Sequence, residues 1–557
     1  MPTSFNVTFP EVSKNSELPP SDGRVNKEWT TVVWILIGVG VFFRLFHFLD
    51  NRSLYVDEIF LATSLVKMNF LELTAPMLEY EQKAPLGFLW IERLMVLLFG
   101  TGEMALRLFP LICGIASLFL FLPVARYFLK PIGVVVAIGV LAAAPPLIYH
   151  AVEAKQYSTE LLSTVIALFL YIRFHEKLAL PPLILWGLSG AVLLWFSFSS
   201  IFILAGMAFG VCLHYLLNKE WRHLFRSIIP FSMWLVSFGA VYFLFTHKHG
   251  EAAWLLHWFK IRHSFMPFPP TSLSDLTWFF QKSFSILHHP LGLSWLDLSP
   301  STHPVVRVIA RMSLLHLAVL AVGFAALYRK DRKYFMVLVF PILLVLLASG
   351  LELYPFMDRL IVFLAPVLII VLALGCEKLS AFFFKTAKGR IILPVLLLLG
   401  PLANATHQVI NRELFGDYKK SYQVETLLYI DERYQEGDAV YIYWNDLVGY
   451  RYYKDTRGFR FEAVEGEDYR YVAKGKADYY NKLKADFEKL RGNKRVWLVY
   501  SNRIWSDIGD FDGQPAWYYS PDNTRDILYK EFSAIGKETD TYKTTEVNVH
   551  LFDLEER

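Results

Sequence analysis

Eleven long apolar runs occupy most of this chain, and they constrain its fold more than any other feature. A helix needs about 20 apolar residues to cross the hydrocarbon core of a bilayer. By this measure we predict spans at residues 29–49, 104–126, 132–150, 158–174, 182–198, 200–217, 227–246, 304–328, 334–350, 360–379 and 390–405. Because backbone polar groups must be paired inside lipid, these runs must form helices. The sequence therefore predicts an α-helical polytopic membrane protein.

The apolar run at 85–100 is an exception, because it is short and carries Glu92 and Arg93 at its middle. A charge pair is costly at the centre of a bilayer, so we predict a helix lying along the membrane surface. This choice agrees with the tendency of basic residues to collect in cytoplasmic loops. With 85–100 left out of the count, one side receives the basic segments at 14–27, 126–130, 173–177, 219–226, 329–333 and 378–390.

The same orientation brings a set of polar residues from distant parts of the chain to the opposite, outer face. We take them as candidate site residues: Asp57, Glu58, Lys83, Glu153, Lys155, Tyr157, Tyr354 and Arg359. Adjacent carboxylates near hydrocarbon are costly unless they are hydrated, paired or used in chemistry. The simpler alternative is that acidic residues only mark the interface and that a lysine there extends its ammonium group towards water.

The chemistry of these residues suits transfer of a group from an anionic lipid. Asp57 and Glu58 are the candidate catalytic residues: Asp57 as a general base, and Glu58 beside it as a residue that orients other groups or holds a cation. Lys155 and Arg359 are candidate ligands of a lipid phosphate, with Lys83 on the same face. Around Lys155 the conformation stays open: a helix would turn it away from Glu153 and Tyr157, whereas a loop would let all three face the site.

Composition gives information on three further possibilities: a nucleic-acid partner, disulfides and a metal site. With a formal net charge of only +4 and 54% hydrophobic residues, the chain gives no argument for a nucleic-acid partner. The three cysteines lie in apolar runs, so we expect core packing rather than disulfides or a metal cluster. Histidines in the 247–303 loop do not show the spacing of a metal site, and a divalent metal cofactor remains unknown.

After residue 405 the composition becomes charged and aromatic. We predict a cytoplasmic tail at 1–28, a transmembrane domain at 29–405 and an outer-face α/β domain at 406–557. The predicted helices of this last domain are 417–434, 478–490 and 522–533, and the predicted strands are 438–444, 495–501 and 544–553. No glycine-rich phosphate loop and no convincing nucleophile elbow occurs in this domain.

Several motifs, taken in this order, resemble those of a known family. They are SLYVDE at 53–58, KAPL at 83–86, GTGEMALRLFPLICG at 100–114, EAKQYS at 153–158 and YPFMDR at 354–359. Over roughly residues 29–405 the chain resembles the GT-C fold integral-membrane glycosyltransferases. Within them it is most similar to the bacterial branch related to protein O-mannosyltransferases and lipid A aminoarabinose transferases.

The resemblance implies an inverting transfer of sugar from a polyprenyl-phosphate-linked donor to a lipid, glycan or protein acceptor. With the charge bias between spans, we expect the chain to lie in the inner (plasma) membrane, with the active site and the 406–557 domain on the periplasmic or extracellular side. The catalytic acidic residue of the family corresponds to Asp57, and its late cation near the donor phosphate corresponds to Arg359. Lys155 stands where the family has arginine, which keeps the charge but loses bidentate binding. The family includes metal-dependent and metal-independent members, so it leaves the cofactor open.

Two other function classes remain as alternatives. A transporter or flippase of lipid-linked sugars also places charged residues within the membrane. However, the chain shows no internal repeat, and its charged candidates lie at one face. A membrane-anchored glycan-binding scaffold is the other alternative, although an anchor requires far fewer spans than the chain provides.

Overall fold

The computed structural model describes residues 23–75, 78–248, 253–294, 303–502, 516–519 and 524–554. A helical bundle comes first and a small mixed sheet with its own helices follows. Most of the predicted tail at 1–28 lies outside the described residues. We refer to the end of the bundle that carries Asp57 as the site end.

The first part of the bundle contains ten helices. They are α1 (Gly23–Leu49), α2 (Val56–Lys67), α3 (Leu86–Phe99), α4 (Glu103–Phe128), α5 (Pro131–Ala143), α6 (Pro145–His150), α7 (Tyr157–Phe174), α8 (Leu180–Phe196), α9 (Ser200–Leu217) and α10 (Trp221–Leu244). The second part contains α11 (Ala253–Ile261), α12 (Leu273–His288), α13 (Pro304–Ala310), α14 (Ser313–Lys330), α15 (Arg332–Gly350), α16 (Ala365–Phe383) and α17 (Ile392–Ile410).

The prediction of a polytopic helical protein is confirmed. Within the described ranges, nine helical segments are long and apolar enough to cross a membrane. They contain α1, α4, α7, α9, α10, α14, α15, α16 and α17. The two remaining predicted spans are the shorter apolar helices α5 and α8.

Two predicted spans are interrupted at the site end. The span predicted at 132–150 breaks at Ala144, whose backbone is extended (φ −61°, ψ 114°) between α5 and α6. Pro145 follows directly, and a residue before proline is disfavoured in the helical region. The span predicted at 304–328 breaks at Met312, which has a positive φ of 53°. These breaks allow the chain on either side to change direction at the site end.

Helix α3 corresponds to the predicted surface helix. Its 14 residues give a length of about 21 Å, short of the roughly 30 Å of a bilayer core. The two central charged residues, Arg93 and Glu92, have different surroundings. Arg93 donates from one guanidinium nitrogen to the carbonyl oxygens of Leu65 and Val66, each at 2.9 Å, near the end of α2. Glu92 is fully buried, neither of its carboxyl oxygens has a hydrogen-bond partner among the described residues, and burial raises its pKa well above the usual range.

Helix α16 lies at the centre of the bundle, with every residue from Ala365 to Glu377 buried. Its contact with α14 depends on Gly323 and Gly375. A methyl group at either position would overlap a backbone carbonyl oxygen of the facing helix, from Val371 or Val319. Small residues allow such close approach of helices in membranes, where lipid removes the usual hydrophobic drive for association.

This contact generates a stability prediction. We expect Gly375→Ala to reduce the free energy of unfolding by about 1–3 kcal/mol, because the added methyl group forces the two backbones apart. Thermal unfolding of the purified chain in detergent measures the loss.

The matched control is Gly239→Ala in α10, where an added methyl group would have no neighbour within 4 Å. Alanine favours a helix over glycine, so this variant should be neutral or slightly more stable. Equal destabilisation by both variants would contradict the close-packing explanation.

The chain after α17 forms an α/β domain with a five-stranded sheet in the order β2-β1-β3-β5-β4. Its strands are β1 (Ala439–Ile442), β2 (Ala463–Glu465), β3 (Arg495–Ser501), β4 (Lys537–Lys543) and β5 (Val547–Asp553). Its helices are α18 (Gln423–Arg433), α19 (Leu447–Arg457), α20 (Lys476–Glu488) and α21 (Thr524–Ile535). Strand β1 pairs in parallel with β2 and β3, and β5 pairs antiparallel with β3 and β4.

The prediction of a C-terminal α/β domain is confirmed, although the sequence analysis missed α19, β2 and β4. Strand β2 has only three residues, and β4 is a half-exposed edge strand with the polar sequence KETDTYK. Neither contains an apolar run long enough to indicate a strand. Edge strands commonly carry charged residues, because charge discourages pairing with other chains.

The C-terminal domain packs directly against the chain that leads into Asp57. Leu54 of this segment belongs to the same buried apolar cluster as Trp497 of β3. The backbone N–H of Leu54 donates to the Tyr453 hydroxyl at 3.0 Å, and the backbone N–H of Val424 donates to the Ser53 hydroxyl at 2.9 Å. The domain therefore shares a hydrophobic core with the first loop of the site end.

Candidate active site

Asp57 and Glu58 lie in the first turn of α2, where the helix dipole stabilises negative charge. Successive helical residues point about 100° apart, so these two carboxylates enter different surroundings. The Glu58 side chain is fully buried, whereas the Asp57 side chain remains 27% exposed. This difference separates a carboxylate enclosed by protein from one that a ligand can reach.

Glu58 is held between two buried arginines. Arg52 donates to Oε2 at 2.9 Å, and Arg107 of α4 donates to both carboxylate oxygens at 2.9 Å. The backbone N–H groups of Tyr55 and Ala154 add hydrogen bonds of 3.0 and 2.8 Å. Burial alone would raise the pKa of Glu58, but Arg107 and Arg52 lower it to about 2. Glu58 thus joins α2, α4 and the turn before α7.

Asp57 forms an ion pair with Arg359, which lies in the 3₁₀ turn Asp358–Leu364 before α16. The Arg359 side chain is 31% exposed, and its guanidinium lies 5.9 Å from the centre of the Tyr157 ring. Burial raises the pKa of Asp57, but Arg359, followed by Lys155 and Lys419, holds it below the usual value. Asp57 is therefore an ionised carboxylate surrounded by several positive charges.

Lys155 lies in the turn between α6 and α7, so the loop alternative of the sequence analysis is the one that the structure adopts. Its ammonium group donates to Oε1 of Gln82 at 2.7 Å. Lys83 follows Gln82 and is half-buried, so the KAPL segment approaches the site through this contact. Burial lowers the pKa of Lys155 to about 8, although Asp57 and Glu153 favour its charged form.

The Glu153 side chain is fully buried. Its carboxylate accepts from Lys419 at 3.0 Å and pairs with Nδ1 of His150 at 2.6 Å. The other ring nitrogen of His150 lies 3.1 Å from Nε2 of His289. Burial opposes its ionisation, but Lys419 and then the hydrogen bond to His150 lower the pKa of Glu153 well below its usual range. Glu153 therefore fixes Lys419, which comes from the segment after α17.

Tyr157 and Tyr354 support Arg359 from two sides. The Tyr157 ring packs on His150, with 5.0 Å between ring centres, as well as on Arg359. The Tyr354 hydroxyl donates to the carbonyl oxygen of Leu360 at 2.7 Å, so it holds the turn that carries Arg359. Among the predicted residues, Asp57, Arg359 and Tyr157 are thus in direct contact, and Tyr354 acts through the backbone.

Sequence reasoning missed five residues of this network: Arg52, Arg107, His150, His289 and Lys419. Arg107 carried a readable signal, because a lone cation inside the predicted span at 104–126 requires a partner. Lys419 carried none, since a lysine near the start of the helix predicted at 417–434 gives no reason to expect a buried anionic partner. Its role depends on the contact between the C-terminal segment and the bundle.

The residues of the site fit an anion better than a divalent metal ion. Within the described ranges, no three His, Cys, Asp or Glu side chains form a group that could hold a metal. Asp57, Glu58 and Glu153 each already pair with arginine or lysine. A metal ion would have to compete with these cations for the same oxygens.

Comparison with known proteins gives a family match over part of the chain and a shared fold. Residues 83–246 match the sequence profile of the family described as dolichyl-phosphate-mannose-protein mannosyltransferase. No curated protein sequence matches the chain. The oligosaccharyltransferase of Archaeoglobus fulgidus is 14% identical over 93% of this chain and 72% of that chain, with a TM-score of 0.51. ArnT from Cupriavidus metallidurans bound to undecaprenyl phosphate is 12% identical over 95% of this chain and 98% of that chain, with a TM-score of 0.48.

The chain therefore has the GT-C fold, with several helices long and apolar enough to cross a membrane, and the fold resemblance noted from its motifs is confirmed. The profile match begins at Lys83, includes Glu153, Lys155 and Tyr157, and ends near the end of α10.

The two adjacent carboxylates should respond differently to neutralisation. Glu58→Gln leaves two buried arginines without their anion, so we expect the free energy of unfolding to fall by about 3–5 kcal/mol. Asp57→Asn affects a partly exposed pair and should cost about 1 kcal/mol or less. Thermal unfolding of both variants in the same detergent tests this difference. Equal stability of the two variants would mean that Glu58 does not organise the site.

Proposed function

We propose that this protein transfers a sugar from a polyprenyl-phosphate-linked donor to an acceptor on the outer face of the membrane, with inversion at the anomeric carbon. The observation that carries the proposal is the partly exposed Asp57–Arg359 pair, with Lys155 close enough to act on the same carboxylate. A base and cations are thereby placed together, as a phosphate leaving group and an acceptor require.

Arg359 and Lys155 are the proposed ligands of the donor phosphate. A guanidinium group presents paired N–H donors that match the oxygens of a phosphate, and the ring of Tyr157 limits its orientation. Lys155 contributes a point charge from the adjacent turn. We assign Lys83 a supporting role, because it follows the residue that accepts a hydrogen bond from Lys155.

Asp57 is the proposed general base. The acceptor oxygen attacks the anomeric carbon and forms the new glycosidic bond, while the carbon–oxygen bond to the phosphate breaks. Its electron pair leaves with the polyprenyl phosphate, and the acceptor proton passes to Asp57. Arg359 and Lys155 stabilise the negative charge that develops on the departing phosphate.

Donor binding would also raise the basicity of Asp57. In the structure, the carboxylate of Asp57 is bound to Arg359, and this pairing reduces its basicity. A donor phosphate competes for the same guanidinium. Once Arg359 turns to the phosphate, Asp57 becomes more basic and is free to accept a proton. The order of events is therefore donor first and acceptor deprotonation second.

Glu58 and Glu153 are proposed to position the site rather than to contact substrate. Each is fully buried and each already holds two basic partners, Arg52 and Arg107 for Glu58, Lys419 and His150 for Glu153. Glu58 fixes the start of α2 that carries Asp57. Glu153 keeps Lys419 near the turn that carries Lys155.

The matched family profile supports the donor class, because its description names a mannose linked to dolichyl phosphate, which is a polyprenyl phosphate. The acceptor is proposed as a lipid, glycan or protein nucleophile. Placement on the outer side of the inner membrane rests on the distribution of basic residues between spans.

Replacing the base should separate catalysis from binding. Asp57→Asn should lower the transfer rate by about 100- to 10,000-fold, because it removes the proton acceptor while keeping the side-chain shape. Donor binding should be retained or become tighter, since Arg359 is released for the phosphate. Lys155→Ala should instead weaken donor binding and leave the base in place.

The assay measures sugar transfer from a polyprenyl-phosphate donor by the purified protein in detergent, with donor binding measured separately. Full transfer by Asp57→Asn would remove Asp57 from the mechanism. Movement of lipid-linked sugar across a bilayer by the wild type, without cleavage of the sugar–phosphate bond, would favour the transporter alternative.

The pKa of Lys155 generates a pH prediction. Because this pKa is lowered to about 8, the ammonium form predominates below pH 8 and is lost as the pH rises through that value. We expect kcat/KM for the donor to fall above about pH 8, since this parameter reports ionisations of the free enzyme. In Lys155→Arg, which stays charged, the fall should move to higher pH. An unchanged profile would show that another group titrates.

A further inference from the structure

A second basic cavity lies apart from the residues assigned above. Its volume is about 170 Å³, and it is enclosed by the end of α12, helix α13 and the first turn of α14. The lining residues are Phe284, Leu287, His288, Ser294, Pro304, Arg307, Arg311, Ser313 and His316. Two arginines and two histidines line the cavity, and no carboxylate is among these residues.

The two arginines converge by helical spacing. The backbone N–H of Arg311 donates to the carbonyl oxygen of Arg307 at 3.0 Å, so the helical turn continues through Arg311. Residues four apart lie on the same face of a helix, and like charges in this relation repel each other. The Nε–H of Arg307 is buried and has no hydrogen-bond partner among the described residues. A bound anion would satisfy this donor.

His316 is the second, independent observation. It lies in the first turn of α14, is only 1% exposed, and lines the cavity. Neither of its ring nitrogens has a hydrogen-bond partner in the described part of the chain. Buried polar groups in proteins are almost always hydrogen-bonded, so an imidazole of this kind indicates a missing ligand or water.

The cavity belongs to the site end but is separate from the Asp57–Arg359 pair. His288 lines the cavity, and the next residue, His289, contacts His150 of the active-site network. Its wall is anchored to the bundle, because the Asn404 side chain donates to the carbonyl oxygen of Ser294 at 2.7 Å. These two contacts, of His289 with His150 and of Asn404 with Ser294, fix the position of the cavity relative to the bundle.

We propose that this cavity is a second anion-binding site that takes a phosphate group, either a free phosphate or the phosphate of a lipid headgroup. Arginine forks match phosphate oxygens, and imidazole N–H groups add further donors. The cavity is smaller than the roughly 300–1,000 Å³ of sites for drug-sized molecules, so it suits a phosphate group rather than a whole sugar-lipid. Phe284 and Leu287 supply an apolar part of the cavity wall.

Binding to the purified full-length chain tests the proposal with two probes. One probe is inorganic phosphate, measured by calorimetry in phosphate-free detergent. The other is phosphatidylglycerol in mixed micelles, with phosphatidylcholine as the zwitterionic comparison. Phosphate held by Lys155 and Arg359 contributes equally to every variant below, so only differences between variants count.

The test variant is Arg307→Gln, alone and combined with Arg311→Gln. The buried Nε of Arg307 has no hydrogen-bond partner among the described residues, so the single variant removes no such bond and should fold like the wild type.

 The matched control is Lys260→Gln, which removes an exposed cation of the same loop that pairs with Glu352 and does not line the cavity.

We expect Arg307→Gln to weaken binding of at least one probe by on the order of 10-fold, because a charge-assisted hydrogen bond is lost, and the double variant to weaken it further. Lys260→Gln should bind like the wild type. Loss with inorganic phosphate identifies a free anion as a ligand, and loss with phosphatidylglycerol alone identifies a lipid headgroup. If neither probe distinguishes the Arg307 variants from Lys260→Gln, the proposal is wrong.

Discussion

The buried carboxylate of Glu58 is the interaction on which the site end depends. Three separate segments meet at this one side chain, through Arg52, Arg107 and the backbone of Ala154. Two arginines would be very costly to bury without an anion between them, so the three segments cannot separate without exposing unpaired charge. The position of Asp57, one residue earlier on the same helix, follows from this arrangement. In the proposed mechanism, Glu58 would hold the base Asp57 in position without contacting the substrate.

The ion pairs of the site differ in how exposed they are to solvent. The pairs at Glu58 and Glu153 are closed to solvent and satisfied within the protein, whereas the pair of Asp57 and Arg359 remains partly open. Closed pairs are fixed because breaking them leaves a buried charge, but an open pair can exchange partners with an incoming anion. Buried carboxylate–cation pairs therefore hold the structure of the site, and the partly exposed pair is the one that an anionic ligand could enter.

The sequence was sufficient for the features that depend on local pattern. Apolar runs located the helices of the bundle, and charge bias grouped Asp57, Lys155 and Arg359 although they are far apart along the chain. It was not sufficient for contacts that tertiary packing alone creates. Lys419 reaches Glu153 across 266 positions, and no spacing rule connects two such residues. The short strand β2 and the polar edge strand β4 were missed for a related reason, since their neighbours in the sheet define them more than their own composition.

The shared core between the first loop and the C-terminal domain has a consequence for the order in which the protein matures. The Ser53 side chain pairs with Glu425, 372 positions later in the chain. At roughly 5–20 residues per second of synthesis, the loop carrying Asp57 is made tens of seconds before the domain that packs against it. Until then, Leu54 lacks the apolar partners that cover it in the finished fold. The helices of the bundle can form in the order of synthesis, but the packing around the loop that carries Asp57 becomes complete only when the last strands have formed, so this end of the bundle would stay incomplete for most of the synthesis.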